Sequence, residues 1–149
     1  MSAAKPRPSP AARRAGYTVA AVVNVVLLVL INGRPGWSAV PFLTGGMTAV
    51  LPLLNASLLI GVAVDLVQIV HDPRWTVALG GIVTTAVGIA VLARLWEVFP
   101  FAFTDPSTDW AMVVRVVLAV GLIGSAAGLL AHTISLLGAV RQRLRAGHA

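Results

Sequence analysis

Apolar positions gather in four long runs, at about 15–32, 47–70, 75–98 and 110–140, separated by shorter stretches in which Pro, Gly, Asp, Arg and aromatic residues concentrate. Each run is close to the roughly 20 residues that an α-helix needs to cross the hydrocarbon of a bilayer. The pattern predicts an all-α protein, a transmembrane four-helix bundle occupying 15–140, with a disordered basic tail at 1–14 and a basic tail at 141–149. Pro52 falls near the start of the second run, and because residues 47–51 already read as helix, a kink is expected there.

Composition narrows the class further. Hydrophobic residues make up 58% of the chain and charged ones 11%, with a mean hydropathy of +0.90, whereas soluble domains carry about 25% charged residues. Four spans use up nearly all of the 149 residues, so no second globular domain is expected. The net charge of +6 comes from Arg and Lys in tails and connections, which points to anionic lipid headgroups and away from nucleic acid. Cysteine is absent, which removes disulfides, thiolate metal sites and the thiol chemistry of four-helix membrane oxidoreductases.

The basic residues also set an orientation. Lys5, Arg7, Arg13 and Arg14 precede the first span, Arg74 lies between the second and third, and Arg141, Arg143 and Arg145 follow the fourth. The first connection carries only Arg34, and the third, residues 100–109, has no Lys or Arg but holds Asp105 and Asp109. The positive-inside rule therefore predicts both termini in the cytoplasm and a single orientation. A cleavable signal peptide is the competing reading of the N-terminus, but the nearest cleavage point, after Ala39, would put Trp37 where a small residue is needed. Arg13 and Arg14 lack the remainder of a twin-arginine signal. Aromatic residues agree with the four-span reading: Trp37, Phe42, Trp96, Phe99, Phe101, Phe103 and Trp110 fall at the outer span ends, and Tyr17 and Trp75 at the inner ones, as an interfacial belt. The FPFAF run at 99–103, with Pro35 and Pro41, predicts a partly ordered cap on the outer headgroups, either an anchor or a docking surface.

Helices in lipid approach closely where small residues recur every four positions. Ser57 and Gly61 lead to Asp65 in the second span, Gly81, Thr84 and Gly88 mark the third, and Gly121, Gly124 and Gly128 lead to His132 in the fourth. These positions are the expected packing faces. Counting about 1.5 Å per residue, Asn24, Asp65, Gln68, Thr84, Thr85, His132 and Ser135 fall in the inner half of the membrane, where they form one candidate cluster. Asn55, Arg94, Glu97, Asp109 and Arg115 form a second in the outer half.

An ionisable group inside a span costs at least about 2.5–3.5 kcal/mol to insert, so each needs a reason. Asp65 and His132 at similar depth suggest a contact between the second and fourth spans, serving either as interhelical glue or as a proton or ion site. His71, beside the Asp72 and Pro73 turn, belongs at the interface. Arg94 can reach Glu97 one turn on, and Arg115 can meet Glu97, Asp109 or Asn55, giving either a closed polar network or a site for an anion or lipid headgroup. Haem ligation would need histidines paired at equal depth, which His71, His132 and His148 are not. HExxH, GxSxG and Walker motifs and metal-spaced carboxylates are missing, so neither a cofactor, a metal nor catalysis is expected.

Several short motifs carry a likeness. PGW at 35–37, VPFL at 40–43, NASL at 55–58, DPRW at 72–75 and LWEVFPF at 95–101 resemble small four-span integral membrane proteins of high-GC Gram-positive bacteria, over most of the chain except its tails. The use of ten Arg against one Lys fits a GC-rich genome. The resemblance implies a multi-pass protein of the bacterial cytoplasmic (inner) membrane and carries no catalytic residue with it. The expected role is noncatalytic: a structural or accessory component of a membrane assembly, with another membrane protein or a second copy as partner. The alternative is a small proton-linked transporter or channel using Asp65 and His132.

Overall fold

The computed structural model describes residues 6–146. It contains four α-helices, α1 (Pro10–Asn32), α2 (Leu51–Val70), α3 (Arg74–Val98) and α4 (Trp110–Ala146). All four are long and apolar enough to cross a membrane. Large apolar side chains cover the outside: Val70, Ile123, Ile134 and Leu130 are 66–83% exposed. Water would not tolerate an apolar surface on that scale, and lipid requires it. The chain is an integral membrane protein.

The helix ends follow local chemistry. α1 starts where the Ser9 hydroxyl accepts a hydrogen bond from the Ala12 backbone N–H at 3.2 Å and Pro10 occupies the first turn, where its missing N–H costs nothing. The helix therefore reaches well into the segment expected to be a disordered tail, of which residues 1–5 lie outside the described residues. It closes on Gly33, whose N–H bonds the Val29 carbonyl at 2.7 Å. A Cβ at Gly33 would stand only 2.6 Å from that carbonyl oxygen. α2 begins at Leu51, later than the expected 47, because Gly45–Ala49 forms a short 3-10 turn. Pro52 thus sits in the first helical turn, so the expected kink gives way to a harmless start position. α3 ends as Phe99 turns into the left-handed region at φ 42° ahead of Pro100. In α4, the Asp109 carboxylate accepts from the Met112 N–H at 3.0 Å, capping the first turn. That helix continues through the expected C-terminal tail to Ala146; residues 147–149 lie outside the described part. Its 37 residues span about 55 Å at 1.5 Å each, more than the ~30 Å hydrocarbon thickness, so its Arg-rich last turns project beyond the bilayer.

Helix pairing is sequential. Tyr17, Asn24 and Asn32 of α1 meet Asp72, Asp65 and Asn55 in turn, so residue numbers rise in one partner as they fall in the other and the helices are antiparallel. Trp75, Gly81, Leu92 and Phe99 meet Arg143, His132, Gly121 and Arg115 in the same descending order, which makes α3 and α4 a second antiparallel pair. The three residues after Val70 join the two pairs, and α2 packs on α3 less extensively than either hairpin packs within itself. Neither α1 nor α2 makes a substantial interface with α4. The start of α1, the end of α4 and the 71–73 turn share one end of the bundle, the terminal end; the two longer connections share the other.

At that loop end the connections pack on each other. Leu43 and Phe101 form an isolated antiparallel bridge. The Thr44 N–H bonds the Pro100 carbonyl at 3.0 Å and the Ala102 N–H bonds the Phe42 carbonyl at 2.9 Å. Phe99, Phe101, Phe103 and Trp110 form a chain of ring contacts 5.4–6.4 Å apart, with Phe42 stacked on Phe103 at 5.8 Å. Beneath them lie Val50 and Pro100, the largest fully buried side chains. The best-sealed core of the described residues is therefore in this cap, where side chains can be enclosed from several directions; the helices expose most of their circumference.

Candidate functional site

The seven inner-half residues do not converge on one point. Asn24 Nδ2 donates to Asp65 Oδ2 at 3.4 Å, linking α1 to α2. Gly61, one turn from Asp65, makes room for this contact: a Cβ there would come within 2.7 Å of the Asn24 amide nitrogen. Gln68, on the same helix, is buried and lies on Gly80 of α3, where any Cβ would collide with its amide. His132 lies on Gly81 of the same helix, which a Cβ would bring within 2.5–2.8 Å of the ring. Each of the three helix interfaces thus sets one polar side chain against one glycine. Gly80 escaped notice in the sequence although it stands four residues before Thr84 and eight before Gly88, on the track that was credited to its neighbour Gly81.

Asp65 and His132 accordingly do not meet. The carboxylate faces α1 and the imidazole faces α3, on helices without a substantial common interface. Position along each helix was legible from residue counts, but rotation about each helix axis was not. Of the remaining members, Thr84 and Ser135 are satisfied within their own helices. Thr84 donates to the Gly80 carbonyl at 2.9 Å, with a longer approach to Gly81, and Ser135 donates to Ala131 at 2.9 Å. Thr85 lines an open groove with Ser57, Gly88 and Ser125.

The outer-half set is likewise divided among separate tasks. Asn55 pairs with Asn32 of α1: each amide donates to the other's oxygen, at 2.9 and 2.8 Å. Arg94 bonds Glu97 at 3.2 Å, as the i,i+3 spacing allows, and reaches the Ala49 carbonyl at 3.5 Å. Arg115 meets no carboxylate; its guanidinium lies 4.4 Å from the Phe99 ring centre and 5.5 Å from that of Trp96, an arrangement favoured by the negative ring face. Asp109 serves as the α4 cap. In the same loop Asp105 accepts from the Ser107 hydroxyl and backbone N–H at 2.7 and 2.9 Å. These bonds, with a smaller contribution from Trp110, hold its carboxyl below the ordinary value against a slight desolvation effect.

The packing faces differ from expectation on α4. Gly121 meets Leu92 of α3, but a Cβ at Gly124 or Gly128 would touch nothing within 4 Å, and the same holds for Gly88. α4 instead turns toward α3 the stripe Leu118, Leu122, Ser125, Leu129, His132, Leu136 and Ala139, all buried or half-buried. Those positions advance by alternating fours and threes, the spacing of a knobs-into-holes seam. Side chains that fill the seam outcompete the bare glycine face. Ser57, at the head of the α2 track, donates to its own Leu54 carbonyl at 2.7 Å.

A polar centre that sequence reasoning missed stands at the terminal end. Asp72 Oδ1 accepts from Arg7 Nη2 at 3.1 Å and from the Tyr17 hydroxyl at 3.0 Å, while Oδ2 accepts from Arg13 Nε at 2.6 Å. Burial works to raise the carboxyl, but the bonds from Arg13 and Tyr17 and the charges of Arg13 and Arg7 outweigh it and hold its pKa low. The signal was present: of five acidic residues, Asp72 alone lies outside the spans at the end that carries Arg7 and Arg13. Next to this clamp Arg143 lies over the Trp75 ring at 5.4 Å, and the Trp75 indole N–H is buried without a partner. Among the described residues no group of three His, Asp or Glu side chains is placed to hold a metal ion. No family model matches this chain, and no curated protein or solved structure matches it either.

Proposed function

We propose that the protein is a noncatalytic component of a membrane assembly, in the cytoplasmic membrane of a bacterium with both termini inside, rather than a carrier of ions or solutes. One observation carries this reading: Asn24, Gln68 and His132 are each set on a glycine of a different helix interface, and Asp65 and His132 do not meet. Polar contacts so placed act as interhelical glue, each worth about 0.6 kcal/mol on average in a membrane. The broad uncovered apolar faces of α1 and α4 leave room for another membrane protein or a second copy.

One feature favours the runner-up, a proton-linked carrier. Asp65 is only half-buried and receives a single long hydrogen bond from Asn24, so its carboxylate retains capacity for a proton or a cation. The two readings part in a reconstitution experiment. Purified protein in sealed vesicles with an internal pH dye is expected to give no flux above empty vesicles under an imposed pH gradient. In mild detergent, extracts of native membranes are expected to show it migrating well above its 15.4 kDa mass plus the detergent belt. A proton flux that Asp65→Asn abolishes, from a protein that migrates as a monomer, would establish the carrier instead.

A further inference from the structure

At the terminal end, the segment before α1 and the facing ends of α3 and α4 enclose an open cleft of about 390 Å³. Arg7, Arg74, His132, Ser135 and Gln142 supply its polar lining, and Val77 and Ala78 are among its apolar walls. A second cleft of about 260 Å³ continues from it across the shared residues Arg74 and Gln142 toward Trp75 and Arg143. No acidic residue lines either one. Asp72, two residues before Arg74, is taken up by Arg7, Arg13 and Tyr17. Arg74 is left without a counter-charge: no hydrogen bond or ion pair among the described residues engages its side chain or that of Gln142.

An uncompensated guanidinium facing a cleft with a second arginine, an imidazole and an amide, all able to donate, calls for an anion with several acceptor oxygens. The position narrows the choice. Tyr17 and Trp75 lie nearby, aromatic residues of the kind that mark the headgroup level, and the cleft combines polar side chains with the apolar Val77 and Ala78. We propose that this cleft binds a phosphate-bearing anion, with Arg74 and Arg7 as charge partners, Gln142 as a neutral donor, and Val77 and Ala78 against any apolar part. That chemistry is supplied by the headgroup of an anionic phospholipid or by free phosphate, and the neighbouring cleft beside Trp75 gives a lipid glycerol room to continue.

The test uses the full chain in nanodiscs of phosphatidylcholine at 150 mM salt, titrated separately with dioctanoyl-phosphatidylglycerol, dioctanoyl-phosphatidylcholine and inorganic phosphate. Saturable binding of the phosphatidylglycerol but not of the choline lipid is expected. Binding of inorganic phosphate in competition with it would identify the phosphate group itself as what is recognised, whereas phosphatidylglycerol alone would identify the lipid. Arg74→Gln should weaken binding about tenfold, as expected for loss of a hydrogen bond between charged groups. Gln142→Ala should weaken it less, and Arg145→Gln, on the exposed end of α4, no more than a third as much as Arg74→Gln. Circular dichroism and thermal melting of each variant would show that the fold persists. Equal losses from Arg74→Gln and Arg145→Gln would reduce the effect to diffuse surface charge and overturn the site. So would absence of saturable binding by both phosphatidylglycerol and phosphate.

Discussion

Asp72 shows how much one side chain can organise at a membrane surface. Its two oxygens receive Arg7, Arg13 and Tyr17, tying the start of α1 to the turn that joins the two helical hairpins. Replacement by Asn removes the charge that holds the two guanidinium groups, so Asp72→Asn should speed limited trypsin cleavage after Arg13 several-fold while leaving total helix content unchanged. An unaltered cleavage rate would mean the clamp does not hold this segment. Because the Asp72 pKa is held below its ordinary value, its contribution is full above the unfolded carboxylate value near about 4 and is lost as pH falls through the lower, folded value. The same protease assay run downward from neutral pH should therefore show the segment loosening only in that acid range, and in Asp72→Asn this step should be absent. Toward the loop end, Asn32 and Asn55 exchange two hydrogen bonds. Asn32→Leu should cost about 0.6 kcal/mol, and no more than about 1.7, in detergent melting. A larger loss would point to a role beyond this pairing.

Between helices, glycine matters only where something lies on it. Gly81 carries the His132 ring, whereas Gly128 faces open space. Gly81→Leu should push α4 off α3 and destabilise the protein by about 1–3 kcal/mol, read as a lowered melting temperature in detergent. Gly128→Leu should stay within about 0.5 kcal/mol of the parent as a monomer. The reverse order would place the α3 and α4 seam on the opposite face of α4. Notches of this kind explain why polar groups can be tolerated in α1, α2 and α4 at all: each is set against backbone, where a bare peptide and a short side chain leave room for an amide or an imidazole. The run of Gly121, Gly124 and Gly128, spaced three and four residues apart, looks like a packing face in sequence. The leucine and histidine stripe beside it offers more contact, and α4 rotates to use it.

At the scale of the whole molecule, two hairpins stand side by side, held by the 71–73 turn and by Gln68 on Gly80, with a packed aromatic cap at the loop end. Basic side chains concentrate at the opposite, terminal end, which the positive-inside rule assigns to the cytoplasm. The absence of cysteine makes this directly measurable. In intact cells a membrane-impermeant maleimide should label Ser107→Cys at once and Ala146→Cys only after lysis. Labelling of Ala146→Cys in intact cells would reverse the orientation, and equal labelling of both would indicate insertion in two orientations.

The number and solvent of the helices were determined by the sequence alone, because hydrophobic length against bilayer thickness is a local property that needs no knowledge of neighbours. The Arg94 and Glu97 pair was legible for the same reason, since three residues along one helix always share a face. The helix ends were less so: the capping of α1 by Ser9 and the 3-10 turn ahead of α2 depend on a few residues of weak signal beside strongly apolar runs. Which residues meet across helices was decided only by tertiary structure. Asn24 with Asp65, Asn32 with Asn55 and Arg115 over Phe99 all depend on rotation about helix axes, and that rotation is set by the sum of many packing contacts. In lipid the outward faces cost almost nothing whichever residues they carry, so hydrophobic patterning does not choose the inward one. Side-chain shape does, and shape acts only once the helices are together.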